Sequence, residues 1–198
     1  MRNFILGVVV TLLVVILGGL GFLLLGYMPT NADATPSHME MRIAMSALDA
    51  SMDRHAPRVT APIPPTDDNL IDGMKIYTMN CALCHGTLDR KSSPLEDALY
   101  PPAPQVILEP LDDPEWHLYH AIRTGVRYTA MPAWNKALSD QDIWKVTLFL
   151  SHLEKLPPAV QDKWKKDFGA APEAAPSDMK GMEGMEGMEK GEKGKAKH

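Results

Sequence analysis

The chain has 198 residues, of which 45% are hydrophobic and 23% charged, with a formal net charge of −5 at pH 7. The acidic excess persists when only Arg58 to Phe168 is counted, so nucleic-acid binding has no basic patch to rest on. Only two cysteines are present, two residues apart, which excludes a disulfide-stapled scaffold and leaves no thiol for a nucleophile elsewhere.

The first element is an almost uninterrupted apolar run from Phe4 to Met28, with Thr11 the main exception. A run of that length is enough to cross a bilayer as a helix. Arg2 and the amino terminus lie on its near side, which favours a cytoplasmic start and a single span. The competing reading is a cleaved signal peptide, because Ala32-Asp33-Ala34 resembles a small-x-small cleavage site. The apolar run exceeds the usual signal core of roughly 7–15 residues, so a retained anchor over residues 1–29 is expected. Residues 30–65 follow as a tether. Ser37-His38-Met39-Glu40 fits a capping box, and Met41, Ala44, Met45, Leu48 and Met52 then recur at helical spacing. That predicts a short amphipathic helix ending before Pro57, whose Met stripe reads as a soft apolar face. Three prolines between Ala61 and Pro65 make a stiff connector.

A compact, all-helical domain is predicted over residues 66–168. Its first helix spans Asp67 to Asn80 and delivers the chain to Cys81-Ala82-Leu83-Cys84-His85. Two cysteines two apart with a histidine directly after form the c-type haem attachment signature. Each thiol can add to one porphyrin vinyl group, and the adjacent His85 is then held where an imidazole nitrogen can ligate the iron. The rivals are weaker. A redox dithiol should follow a strand in an alternating strand-helix chain, and no such pattern surrounds Cys81. Zinc needs two further ligands, and the best offer, His117 with His120, is tightly spaced and distant in sequence. One covalent haem c is therefore expected, and covalent haem is installed outside the cytoplasm. This places the chain at a bacterial inner membrane as a single-pass protein, with its haem domain in the periplasm or on the outer face.

Pro94 to Pro110 is proline-rich and should be extended, not helical. A second helix is predicted with Asp113 as N-cap and Pro114 at its first position, carrying Trp116, Leu118, Tyr119 and Ile122 and stopping at Gly125. A third begins with Ser139 as N-cap, with Asp140 and Asp142 suited to the positive helix start. It carries Ile143, Trp144, Val146, Thr147, Leu148, Phe149, Leu150 and Leu153 and ends at Pro157. Between these two lies Met131-Pro132. An electron carrier needs both axial positions filled, and a thioether there favours the ferrous state. Met131 is the expected sixth ligand, on a loop that Pro132 keeps irregular; a bis-His centre using His117 or His120 is the alternative. Residues 169–198 turn to Ala, Pro, Gly, Met, Glu and Lys, a low-complexity tail expected to be disordered. Its Met179, Met182, Met185 and Met188 are soft ligands for Cu(I), against the plainer reading of a passive extension.

From about Asn69 to Leu156 the chain resembles class I cytochrome c in its membrane-anchored, monohaem bacterial form. The resemblance rests on Cys81-Ala82-Leu83-Cys84-His85-Gly86, on Met131-Pro132, and on helices before, between and after them. It implies a first and last helix crossing near a small residue and an aromatic, with Gly73, Tyr77 and Trp144 as candidates. It implies a proline carbonyl holding the second nitrogen of His85, from Pro101, Pro102 or Pro104. It also implies propionate contacts from Arg127, Tyr128 or Trp134. The expected function is single-electron transfer between a quinol-oxidising complex or dehydrogenase and a terminal oxidase or reductase. The partners are redox proteins of that chain, with membrane lipid around the first helix. The alternatives are a permanent cytochrome subunit of a respiratory oxidase or dehydrogenase complex, and a haem- or copper-binding sensor or carrier.

Overall fold

The computed structural model describes residues 1–169. The expectations of a disordered tail, and of Cu(I) at Met179 to Met188, lie outside the described residues. Among the described residues the chain is helical with no strand: α1 (Arg2–Leu24), α2 (His38–His55), α3 (Asp67–Asn80), α4 (Ala82–His85), α5 (Glu115–Thr124), α6 (Asp140–Ser151) and α7 (Pro158–Phe168), with short 3-10 turns between some of them.

α1 has 23 residues, none buried, and is long and apolar enough to cross a membrane. At 1.5 Å per residue it extends about 35 Å, enough for a hydrocarbon core of about 30 Å. α2 starts as the sequence indicates, with Ser37 Oγ accepting from the Glu40 amide at 3.2 Å. The reciprocal half of the capping box is absent, because the Glu40 carboxylate accepts instead from the Tyr100 hydroxyl, 60 residues away. Of the Met stripe, Met41, Leu48 and Met52 are half-buried while Ala44 and Met45 are exposed.

α3 and α6 form the centre. Each is started by a side-chain cap: Thr66 Oγ1 accepts from the Asn69 amide at 3.3 Å, and Ser139 Oγ from the Asp142 amide at 3.1 Å. Acidic residues follow both caps, where they suit the helix dipole. α3 buries Leu70, Gly73, Met74, Ile76 and Tyr77, one stripe at helical spacing. α6 buries Ile143, Trp144, Val146, Thr147, Leu148 and Phe149. The two cross at Gly73, where an added Cβ would lie 2.1 Å from the Lys145 carbonyl oxygen and 2.9 Å from Phe149 Cβ. The aromatic partner at this crossing is Phe149, whose ring centroid is 5.9 Å from that of Tyr77. Trp144, expected there, lies instead against α5, stacked on Tyr119 at 4.0 Å and 9°. Five residues separate Trp144 from Phe149, which sets them on different sides of α6.

α5 begins at Glu115 after Pro114, without a side-chain cap, so Asp113 is not the N-cap. Pro114 has ψ 147°, an extended conformation that puts the helix start one residue later than the expected Pro114 position. Its end at Gly125 is as expected, with φ 68°. α6 stops at Ser151, and a 3-10 turn at Leu153–Lys155 carries the chain towards Pro157. α7 is an element that the sequence reading did not separate. It buries Val160 and Trp164 completely, with the Trp164 ring 5.6 Å from Phe149.

Candidate functional site

α3 is capped at its carboxyl end by Cys81, and the chain turns directly into the single turn of α4, which carries Cys84 and His85. Tyr77, on the last turns of α3, fixes where that turn sits. It is fully buried, and its hydroxyl donates towards the His85 carbonyl at 2.9 Å and the Gly86 carbonyl at 2.7 Å. Burial holds the phenol well above its ordinary pKa, so it remains a donor. Gly86 closes α4 with φ 92°, a conformation that favours glycine.

The second support was not found from sequence. Gln105 is buried, with its Oε1 accepting from the Ser93 amide at 2.7 Å and its Nε2 donating to the Cys84 carbonyl at 3.1 Å and the Ala103 carbonyl at 2.9 Å. Ser93 Oγ donates in turn to the Leu83 carbonyl. One amide side chain thus ties α4 to both arms of the proline-rich segment. That segment is irregular as expected, apart from one 3-10 turn at Glu96–Ala98, and it buries Val106 and Ile107. The third support comes from α7: Trp164 Nε1 donates to the Leu88 carbonyl at 2.7 Å, 76 residues away, and pins the loop after the motif. Only the spacing of Val160, Trp164 and Phe168, after Pro158 and before Gly169, signals this element in the sequence.

Within this frame His85 Nδ1 lies 2.9 Å from the Pro104 carbonyl. A carbonyl can only accept, so Nδ1 carries the proton and Nε2 keeps its lone pair. Of the three prolines in range, Pro104 is the one that engages the imidazole. Cys81 is buried and Cys84 half-buried. Burial, with Cys84 nearby as a lesser cause, pushes the Cys81 thiol up to about 12. A free thiol held that high is a poor thiolate, unlike the attacking cysteine of a redox dithiol.

Met131 follows α5 on a loop with its own bracing. The Val126 amide donates to the Met131 carbonyl at 3.3 Å, and the Met131 amide to Thr129 Oγ1 at 3.1 Å. Gly125 is required there, since an added Cβ would lie 2.7 Å from the Met131 carbonyl oxygen. The Met131 side chain is half-buried and packs against the core, as does Trp134. Arg127 and Tyr128 are exposed, Tyr128 at 89% with φ 64°.

The donor set suits haem c. Two thiols sit on one turn, and the adjacent imidazole has one nitrogen fixed and the other left basic. Among the described residues no group of three or more His, Cys, Asp or Glu could hold a metal ion, which removes the geometric basis of the zinc reading. His117 is engaged elsewhere, 3.4 Å from Asp113 and 3.6 Å from Asp53.

No curated protein matches the chain. Residues 68–150 match the family model described as cytochrome C oxidase, cbb3-type, subunit III. The match covers nearly all of α3 and α6, with the attachment turn, α5 and the Met131 loop between them. The domain that these residues build is a class I cytochrome c domain, an electron-transfer module that uses haem c and works with redox partners.

Proposed function

We propose that the chain is a membrane-anchored single-electron carrier with one covalent haem c, attached through Cys81 and Cys84 and ligated by His85 and Met131. Haem c, when bound, supplies the Fe(II)/Fe(III) couple. The observation that carries the reading is the 2.9 Å contact from His85 Nδ1 to the Pro104 carbonyl, which orients the imidazole and leaves Nε2 as its basic donor. Tyr77, Gln105 and Trp164 make the surroundings of the attachment turn rigid, so ligand positions need not change when the charge does. Met131 offers a soft thioether that favours the reduced state. α1 tethers the domain in the lipid, with the domain outside the cytoplasm, in the periplasm or on the outer face of a bacterial inner membrane. Electrons would pass from a quinol-oxidising complex or dehydrogenase to a terminal oxidase or reductase.

A second reading is a cytochrome subunit held permanently in an oxidase complex. The description of the matched family as an oxidase subunit favours it, and α1 suits a fixed subunit as well as a free carrier. Co-purification from mild detergent separates the two.

The ligands are tested by Met131→Ala. The oxidised holo-protein is expected to lose its weak red sulfur-to-iron(III) charge-transfer band, the reduced form to bind carbon monoxide, and the potential to fall. Survival of that band in the variant would sink the Met131 assignment. A haem extractable by acid-acetone would sink the attachment through Cys81 and Cys84.

A further inference from the structure

One stiff segment joins the helix next to the membrane anchor to the haem ligand. α2 follows α1 in the chain and rests on the haem domain. Met41, Leu48 and Met52 are half-buried, and Ala56 is 7% exposed. Arg58, just past the end of α2, lies over the Trp116 ring at 5.2 Å. At the other end Ser37 caps the helix, and the Glu40 carboxylate turns away from that cap to accept from the Tyr100 hydroxyl. Among the described residues Glu40 is the one hydrogen-bond partner of that hydroxyl.

Tyr100 opens the run Tyr100-Pro101-Pro102-Ala103-Pro104. At its far end the Pro104 carbonyl accepts from His85 Nδ1 at 2.9 Å. Little in this run can turn. The ring fixes φ at Pro101, Pro102 and Pro104, and Tyr100, Pro101 and Ala103 each precede a proline, which keeps them out of the helical region. A displacement at Tyr100 is therefore carried along the run and not absorbed within it. Beyond Pro104 the chain is well held, because Gln105 bonds to Ser93, Cys84 and Ala103 while Val106 and Ile107 are buried. The outer end has the Glu40 bond to steady it.

We infer that Tyr100 is a positioning residue for His85: the Glu40–Tyr100 bond steadies the outer end of the proline run, and through that run α2 sets how firmly the Pro104 carbonyl holds Nδ1. This rests on His85 as a haem ligand, as proposed above. The Nδ1 bond makes the imidazole a better donor through Nε2, which stabilises the ferric form. A looser Pro104 carbonyl weakens that donation and raises the potential. The tether thus tunes the redox couple as well as placing the domain.

The test uses the full chain with its haem in detergent micelles. Tyr100→Phe keeps the ring and removes the donor, and Glu40→Ala removes the acceptor. Solvent exchange of the His85 Nδ1 proton, followed by NMR of the reduced protein, reports opening of the Pro104 bond. It should quicken roughly two- to fivefold in both variants, and the potential should rise in both. Glu40→Gln keeps an acceptor oxygen and should restore most of each. Asp49→Asn alters an exposed carboxylate of the same helix and should move neither. Amide protection of α2 reads undocking separately. If Tyr100→Phe leaves the Nδ1 exchange and the potential at their original values, the inference is overturned, even where α2 has lost protection. An equal change in Asp49→Asn overturns it too. A failure of the ligand reading itself is distinguishable: in the unmodified protein the His85 ring protons would then lack the porphyrin ring-current shift of a haem-bound imidazole.

Discussion

The crossing of α3 and α6 gives the sharpest stability prediction. Gly73→Ala adds one methyl group at a helical position, where alanine by itself is favoured by about 1 kcal/mol. The structure reverses that sign. The new Cβ would sit 2.1 Å from the Lys145 carbonyl oxygen and 2.9 Å from Phe149 Cβ. Ordinary carbon–oxygen contact is about 3.3 Å, so α6 must move away by about 1 Å. The obstacle is backbone, not the flexible end of a side chain. Relief therefore means separating two helices that share Met74, Tyr77, Val146 and Phe149 in one close-packed core. Overpacking of this kind costs about 1–3 kcal/mol or more, and the propensity gain offsets part of it. A net loss of about 2 kcal/mol would lower the midpoint by roughly 8–16 °C in a domain of this size. Thermal unfolding of the oxidised holo-protein in detergent, followed by circular dichroism and by haem absorbance together, measures it. Gly73→Val should be worse. A Gly73→Ala midpoint equal to or above that of the unmodified protein would refute the close crossing.

Trp164→Phe keeps most of the buried ring but leaves the Leu88 carbonyl without its donor, and should cost about 1–3 kcal/mol. Chemical denaturation measures that loss, and no change would mean that α7 does not hold the loop. Asp72 is paired with Lys145 and Lys75, each at 3.0 Å, and hydrogen bonding to Lys145 first and Lys75 second holds its carboxyl below the ordinary value. A depressed carboxylate contributes stability that is present above its unfolded pKa and lost as the pH falls through the folded one. Asp72→Asn should therefore flatten the acid limb of the stability profile below about pH 4 and lower stability slightly at neutral pH; an unchanged acid limb would count against the pair. Alkaline carbonate washing should leave the protein in the membrane, whereas a soluble mature form starting near Thr35 would show that α1 is a cleaved signal.

The sequence by itself determined what rests on local pattern. Ser139 announces α6, because a hydroxyl that satisfies an amide three residues on needs no distant partner. Thr66, not named as a cap from sequence, starts α3 by the same local bond. The apolar run of α1 and the run Cys81 to His85 are equally local, and the second names the cofactor through chemistry that five residues carry alone. Gly125 ends α5 as read. α7 had the same kind of signal, in Val160, Trp164 and Phe168, and stood in a stretch too polar overall to draw attention. Only the tertiary structure decided the contacts between distant residues. Pro101, Pro102 and Pro104 are equivalent until the fold brings one carbonyl to His85. Gln105 looks like any surface amide until Ser93, Ala103 and Cys84 converge on it. Trp144 and Phe149 lie on one apolar helix, and only the angle at which α6 crosses α3 assigns Phe149 to Tyr77 and Trp144 to Tyr119. Glu40 belongs to a capping box by sequence and to Tyr100 in space, because a carboxylate takes the stronger donor that folding brings to it. A pairing across 60 or 76 residues leaves no trace in local periodicity, since its energy exists only after the chain between them has packed.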